Sequence, residues 1–195
     1  AELSQAELRL AGLRINPATN GPSRASFYSG IKLKSVSKGT ESNFTGLPVK
    51  PVLSEITWSP EEDKIAFVNT SADGLELWMA DLKTLEAKRL SATKLNGSYG
   101  RSFIWHPDGK SILAKFIPEN QKLPKEPDTT PAGPLIQENT GLSAPVPTYQ
   151  DLLKSPYDES LFDYYFHSQL RIINLNGSSE DYLQPHIIRE MDYSP

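Results

Sequence analysis

Ile56-Thr57-Trp58-Ser59-Pro60, followed by an acidic turn and by Lys64-Ile65-Ala66-Phe67-Val68, is a phrase that comes back. Phe103-Ile104-Trp105-His106-Pro107 leads through Asp108-Gly109 into Lys110-Ser111-Ile112-Leu113-Ala114-Lys115-Phe116, and Met191-Asp192-Tyr193-Ser194-Pro195 opens the phrase a third time. A second phrase lies between these. Leu77-Trp78-Met79-Ala80-Asp81-Leu82-Lys83 matches Leu170-Arg171-Ile172-Ile173-Asn174-Leu175-Asn176 in pattern, and each runs through a polar turn to a leucine, Leu90 or Leu183. A looser version spans Ile31 to Val36, with Lys38-Gly39 as its turn.

Each phrase has a physical reading. Proline cannot donate to a ladder, so the aromatic-x-Pro turn closes an inner strand. The acidic or Asp-Gly turn reverses the chain. The apolar run after it is a buried strand, and the second phrase with its sequel is an outer hairpin. Repeats of about 40–50 residues with four strands each are the mark of propeller blades. Trp58 and Trp105 are 47 residues apart, whereas Trp105 and Tyr193 are 88 apart. Residues 118 to 156 carry 8 of the 16 prolines, which locates the excess between the second and third strands of that blade. The competing reading is chance similarity between two hairpins, and the third occurrence, in phase with the second phrase, counts against it.

The expected fold is therefore all-β: a partial β-propeller of four-stranded antiparallel blades, with a Pro-rich insertion containing short helices. Residues 1–51 are read as an N-terminal segment with first-blade strands. Residues 52–91 form one blade, 103–184 a second with its insertion at 118–166, and 187–195 the start of the next. Ser4-x-x-Glu7 reads as a capping box opening a short helix. Residues 25 to 36 read as one or two strands and 37 to 51 as turn and connector. Thr148 to Lys154 and Asp158 to His167 read as short helices, the second with Leu161, Phe162 and Tyr165 near one face.

Bulk properties narrow the function classes. The net charge is −4, the chain is 37% hydrophobic and 23% charged, and no Lys/Arg cluster occurs. Nucleic acid and anionic lipid are poor partners for such a surface. No apolar run approaches the roughly 18 residues that cross a bilayer. Cysteine is absent, which excludes disulfides, thiolate metal sites and cysteine nucleophiles.

A search for catalytic groups is negative throughout. No G-x-S-x-G elbow occurs. His106, His167 and His186 have no metal-binding spacing. Asp158, Glu159 and Asp163 read as a helix N-terminus, where carboxylates complement the dipole, before they read as a metal site. Phe162, Tyr164, Tyr165 and Phe166 read first as packing that pins the insertion to its blade. The sequons at Asn43, Asn69, Asn96 and Asn176 match the composition of blade turns. No catalytic, cofactor or metal residue is expected in this chain.

Several stretches resemble one family. Glu7-Leu8-Arg9-Leu10-Ala11-Gly12-Leu13-Arg14-Ile15-Asn16-Pro17 and Arg24-x-Ser26-Phe27-Tyr28-x-Gly30 are similar to the start of the propeller in glutamyl endopeptidase-like serine peptidases of the prolyl oligopeptidase family. Thr148-Tyr149-Gln150-Asp151-Leu152-Leu153-Lys154, Tyr157-Asp158-x-x-Leu161-Phe162-Asp163-Tyr164-Tyr165 and Ser168-Gln169-Leu170 resemble the same subfamily. The resemblance implies an N-terminal propeller over a C-terminal α/β-hydrolase domain that holds the Ser-Asp-His triad. That domain and its triad fall outside these residues, so the chain alone should be inactive. It further implies peptide substrates selected by the propeller, and it is compatible with an exported, periplasmic setting. Tyr149, Asp151, Tyr164 and Tyr165 are the candidates for an interdomain or substrate-gating surface. The alternative is a non-catalytic propeller that binds peptide or protein; a carbohydrate-binding β protein would need an aromatic ladder that the sequence does not place. Open blades expose strand edges, so the isolated chain is expected to self-associate.

Overall fold

The computed structural model describes residues 5–92, 94–127 and 151–194. The first phrase and its sequel form one antiparallel meander of four strands: β6 (Leu53–Trp58), β7 (Lys64–Ser71), β8 (Gly74–Asp81) and β9 (Glu86–Arg89). Five short strands precede it: β1 (Leu8–Leu10), β2 (Leu13–Asn16), β3 (Gly21–Pro22), β4 (Lys32–Lys34) and β5 (Glu41–Asn43).

Local chemistry sets the turns. The Ser59 hydroxyl accepts from the Lys64 N–H and donates to Asp63, closing β6 onto β7. The Asp81 carboxylate accepts from the N–H groups of Lys83 and Thr84, which reverses β8 into β9. β7 and β8 alternate apolar residues onto both faces, and both faces are covered: Ile65 and Phe67 on one, Ala66 and Val68 on the other.

The second meander repeats the first. β10 (Phe103–Trp105), β11 (Ser111–Phe116), β12 (His167–Asn174) and β13 (Ser179–Asp181) pair in that order, and β14 (His186–Ile187) adds to β12 beyond β13. The excursion between β11 and β12 ends in α1 (Pro156–Phe166), so the surplus residues leave and re-enter between the second and third strands.

The meanders stack as propeller blades do. Ala66, Val68, Leu77 and Met79 of the first meet Phe103, Ile112, Ala114, Phe116 and Ile173 of the second in one buried cluster. Leu95 of the connector is fully buried and bridges both Leu75 and Phe116. Successive phrases also touch. The Trp105 indole donates to the Thr57 carbonyl at 3.4 Å, and the Tyr193 ring meets His106 edge-on at 4.8 Å. The architecture is a partial β-propeller, and among the described residues it is all-β apart from α1.

Three local expectations change. Residues 8–10 are strand β1, not the helix that a capping box at Ser4 would open; Ser4 itself lies outside the described residues. Leu8, Leu10, Leu13 and Ile15 carry a strand pattern, and Ala11 and Gly12 take positive φ (50° and 79°), which makes the two-residue turn of a tight hairpin. Residues 41–43 are strand β5, not connector, because Gly39 (φ 67°) lets the chain fold back on β4. Of the helix expected over 148–154, the described part, 151–154, is not helical; Asp151 sits at φ 59° with its carbonyl held by the Gly12 N–H. The Pro-rich residues 128–147 of the insertion lie outside the described residues. The third phrase forms no strand over 191–194.

Candidate functional site

The insertion, the N-terminal sheet and the interblade connector converge at one end of the blades, where β11 gives way to the insertion. α1 is started by Ser155, whose hydroxyl accepts from the Asp158 N–H, with Pro156 in the first turn. Leu161, Tyr165 and Phe166 of α1 are buried against Leu10 and Ile15 of the β1–β2 hairpin. Phe166 stacks on Phe162 at 4.4 Å and meets Tyr99 edge-on at 5.5 Å. The aromatic group therefore pins the insertion to the N-terminal sheet and the connector, where the expectation was its own blade. Asn96, 1% exposed, donates its amide to the Tyr165 and His167 carbonyls and fixes the end of the helix.

Each expected surface residue can be located except Tyr149, which lies outside the described residues. Asp151 projects between two arginines of the hairpin, with Arg14 Nε at 3.4 Å and Arg9 Nη1 at 3.8 Å. Tyr164 is partly buried and meets Tyr165 edge-on at 4.9 Å. Tyr165 is buried, and that burial pushes its hydroxyl pKa up. Beside them, Glu7 takes a hydrogen bond from Ser23 at 2.7 Å and ion pairs from Arg9 and Arg24. The Ser23 hydrogen bond, with the arginines behind it, holds the Glu7 carboxyl below its usual range. A groove of about 580 Å³ opens between this sheet and the β7–β8 turn, with Asn16, Thr19, Arg24, Phe27, Thr70 and Leu75 in its lining. The Thr70 hydroxyl there is buried without a hydrogen-bond partner among the described residues.

A second polar set lies on the seam between the blades, and sequence reading missed it. Glu55 occupies a bulge of β6 at φ 48°, which turns its carboxylate onto the N–H (2.8 Å) and hydroxyl (2.9 Å) of Ser102. Lys115 of β11 is fully buried; its ammonium donates to the Tyr99 carbonyl and, at 3.2 Å, to the Ile188 carbonyl. Burial raises the Glu55 pKa, and burial lowers that of Lys115 to about 8. The only sequence signal was a lysine inside an otherwise apolar strand.

The histidines stand apart. His106 Nδ1 is 2.8 Å from Asp108 on the phrase turn, His167 Nδ1 faces the Asp163 carbonyl, and His186 is exposed. Asp108 also accepts from the Lys110 N–H, and this bond, followed by His106, lowers its pKa. The pair fixes a turn. Among the described residues no group of three or more acidic or histidine side chains converges as a metal site would. Asn69 and Asn96 are buried and hydrogen-bonded, so two of the four sequons face the interior.

No protein-family model matches the chain. Two curated relatives do, along its whole length. It is 34% identical over 210 residues to a probable chloroplastic glutamyl endopeptidase of Oryza sativa subsp. japonica, covering 22% of that protein. It is 34% identical over 207 residues to the Arabidopsis thaliana protein of the same name, covering 21%. The chain thus spans about a fifth of the curated relatives it matches, in their N-terminal part. The resemblance to glutamyl endopeptidases read from the phrases holds along all of it. Among solved structures, the acylaminoacyl peptidase of Pyrococcus horikoshii aligns at TM-score 0.40 and 19% identity, over 77% of this chain and 19% of its own. The β-propeller domain of the Trilobed protease from Pyrococcus furiosus aligns at 0.33 and 16%, over 79% and 49%. TolB from Acinetobacter baumannii aligns at 0.38 and 14%, over 77% and 25%. The propeller assignment rests on the sheets and seams described above.

Proposed function

We propose that this chain is the N-terminal part of the propeller of a glutamyl endopeptidase-like serine peptidase, and that it selects peptide substrates for a hydrolase domain carried elsewhere on the same polypeptide. The observation that carries the reading is the end-to-end match to two glutamyl endopeptidases in a chain that folds into stacked four-stranded blades. Hydrolysis itself uses a nucleophile, base and oxyanion hole that the described residues do not supply. The chain contributes exclusion: a ring over a catalytic pocket admits an extended peptide and turns away a folded domain.

The blades are taken as 52–91 and 103–184, with the next one starting in 187–195; the two four-stranded meanders support the first two. The face bearing Asp151 and Tyr164 meets the hydrolase domain, with Tyr149 on the same stretch of chain, while Tyr165 is buried beneath it and supports that face from inside. Support for this comes from the position of α1, which is held rigidly at one end of the blades by Asn96 and Phe166. The isolated chain is inactive, and its open blade edges make it self-associate.

One experiment separates the readings. The gene is sequenced downstream of Pro195, and both the 195-residue chain and the full-length protein are treated with a fluorophosphonate probe and a peptide substrate. A G-x-S-x-G elbow, probe labelling and peptide cleavage in the full-length protein alone are expected. Further blades with no elbow would leave a peptide-binding propeller and retire the peptidase.

A further inference from the structure

Asparagine precedes glycine three times in the chain, at Asn20-Gly21, Asn96-Gly97 and Asn176-Gly177. A glycine there lets its main-chain nitrogen approach the side-chain amide closely, because no Cβ stands in the way. Two of the three steps are closed off. Asn20 is buried, and Gly21 belongs to the β2–β3 ladder. Asn96 is buried too; its amide nitrogen is held by the Tyr165 and His167 carbonyls, and the Gly97 N–H by the Asn20 carbonyl.

Asn176-Gly177 is placed differently. It lies exposed in the turn between β12 and β13, with Gly177 at φ 93°. The main chain of the turn is held by two bonds: the Gly177 N–H donates to the Asn174 carbonyl at 2.8 Å, and the Asn174 N–H to the Ser178 carbonyl at 2.9 Å. The side chains add a third feature. Asn176 Oδ1 accepts twice, from the Ser178 N–H at 2.9 Å and from the Ser178 hydroxyl at 2.8 Å. That hydroxyl in turn accepts from Asn174 Nδ2 at 3.0 Å. A chain of donors thus runs from the Asn174 amide through Ser178 to Asn176, and each bond polarises the next. Two donors on one amide oxygen draw electron density from Asn176 Cγ. They also stand where negative charge gathers when that carbon is attacked, which is the arrangement of an oxyanion hole.

We propose that Asn176 is a self-modifying site, deamidated in the folded protein by attack of the Gly177 nitrogen on its Cγ, with Ser178 stabilising the oxyanion. Local opening of the exposed turn frees the Gly177 N–H from the Asn174 carbonyl, and hydroxide takes its proton. The nitrogen bonds to Cγ, and the displaced electron pair rests on Oδ1 between the two Ser178 donors. The pair returns, the Cγ–Nδ2 bond breaks, and the nitrogen takes a proton from water and leaves as ammonia. Water then opens the five-membered imide at either carbonyl, to aspartate or isoaspartate. One water enters, one ammonia departs, and nothing is oxidised or reduced. The change falls on a contact between blades: the Lys88 ammonium of β9 donates to the Leu175 carbonyl at 2.9 Å, and the Leu90 carbonyl lies beside Gly177. Isoaspartate lengthens the main chain of the turn by one methylene, so the bonds that join Asn174 to Ser178 no longer fit and that contact loosens.

Peptide mapping by mass spectrometry tests it, on full-length protein kept in mildly alkaline buffer with and without urea. In the native protein the peptide holding Asn176 should gain the mass of an amide turned to an acid, and isoaspartate should be found at that position, while the peptides holding Asn20 and Asn96 stay unchanged. In urea all three should change. Ser178→Ala keeps the N–H donor and removes the hydroxyl. It should slow the native reaction at Asn176 about 2–10-fold, the worth of one exposed neutral hydrogen bond, and leave the rate in urea as in wild type. Ser178→Thr, which restores the hydroxyl, should return the native rate. An Asn176 peptide that changes in urea but not in the native protein would overturn the proposal. Native modification of Ser178→Ala as fast as wild type, or faster, would also overturn it and leave exposure as the whole cause.

Discussion

Lys115 is the next-to-last residue of β11, with no exposed surface and no carboxylate within 4 Å among the described residues. Its ammonium is held by two backbone carbonyls, and burial draws its pKa from 10.5 to about 8, with distant Glu55 pulling the other way. The sign follows from proton counting. Between about pH 8 and 10.5 the folded chain has released this proton and the unfolded chain has not, so stability rises with pH through that window. Below pH 8 both states are protonated and the full cost of the buried charge is felt. At about 1.4 kcal/mol per tenfold in proton affinity, the cost is about 3 kcal/mol. Lys115→Met removes the charge and its cost, but it leaves the Tyr99 and Ile188 carbonyls without their donor, at about 1–3 kcal/mol each. The two effects nearly cancel at pH 7, so the variant should lie within about 2 kcal/mol of wild type there. The pH profiles should part. Urea unfolding at pH 7.5 and pH 10.3 should show wild type gaining about 2–3 kcal/mol relative to Lys115→Met. Parallel profiles would refute the claim that the seam strains this charge.

Other consequences follow the same logic. Glu55, with a pKa raised by burial, gives stability that is present at low pH and lost as pH rises through its folded value; Glu55→Gln should flatten that slope in acid unfolding curves. Glu55→Ala, which also strips Ser102 of its acceptor, should cost about 1–3 kcal/mol in urea unfolding. Gly100 has φ +71°, and a Cβ there would lie 2.0 Å from the Arg189 carbonyl oxygen. Gly100→Ala should therefore cost more than the 1–2 kcal/mol of the left-handed conformation alone, read as a lower melting temperature. Phe166→Ala should cost about 3–5 kcal/mol and detach α1, seen as faster proteolysis within residues 151–166.

The blades were legible because their cues are local. An aromatic closing a strand, a proline two residues on, a turn and an apolar run each act over a few residues, and each repeats. The place of the insertion was legible for the same reason, since a break in the spacing shows where a repeat has been opened. The N-terminal strands β1 and β5 were not. Ser4-x-x-Glu7 is a valid helix start in isolation, and Ala11-Gly12 a valid hairpin turn. The choice fell to the hairpin because Leu10 and Ile15 gain burial against α1, from about 150 residues further along.

Of the candidate surface, Asp151 could be picked out from its family-like phrase, but not its arginine partners: Arg14 precedes it by 137 residues. The seam pair Glu55 and Lys115 left little trace for the same reason. A bulge that aims a carboxylate, and an ammonium that meets two carbonyls, exist only once two blades stack. Alternation, turn chemistry and repeat spacing are short-range, so the sequence alone determined that this chain builds four-stranded blades. Which faces those blades bury, which charges are trapped between them and which edge stays open depend on contacts between distant segments, and only the tertiary structure decided them.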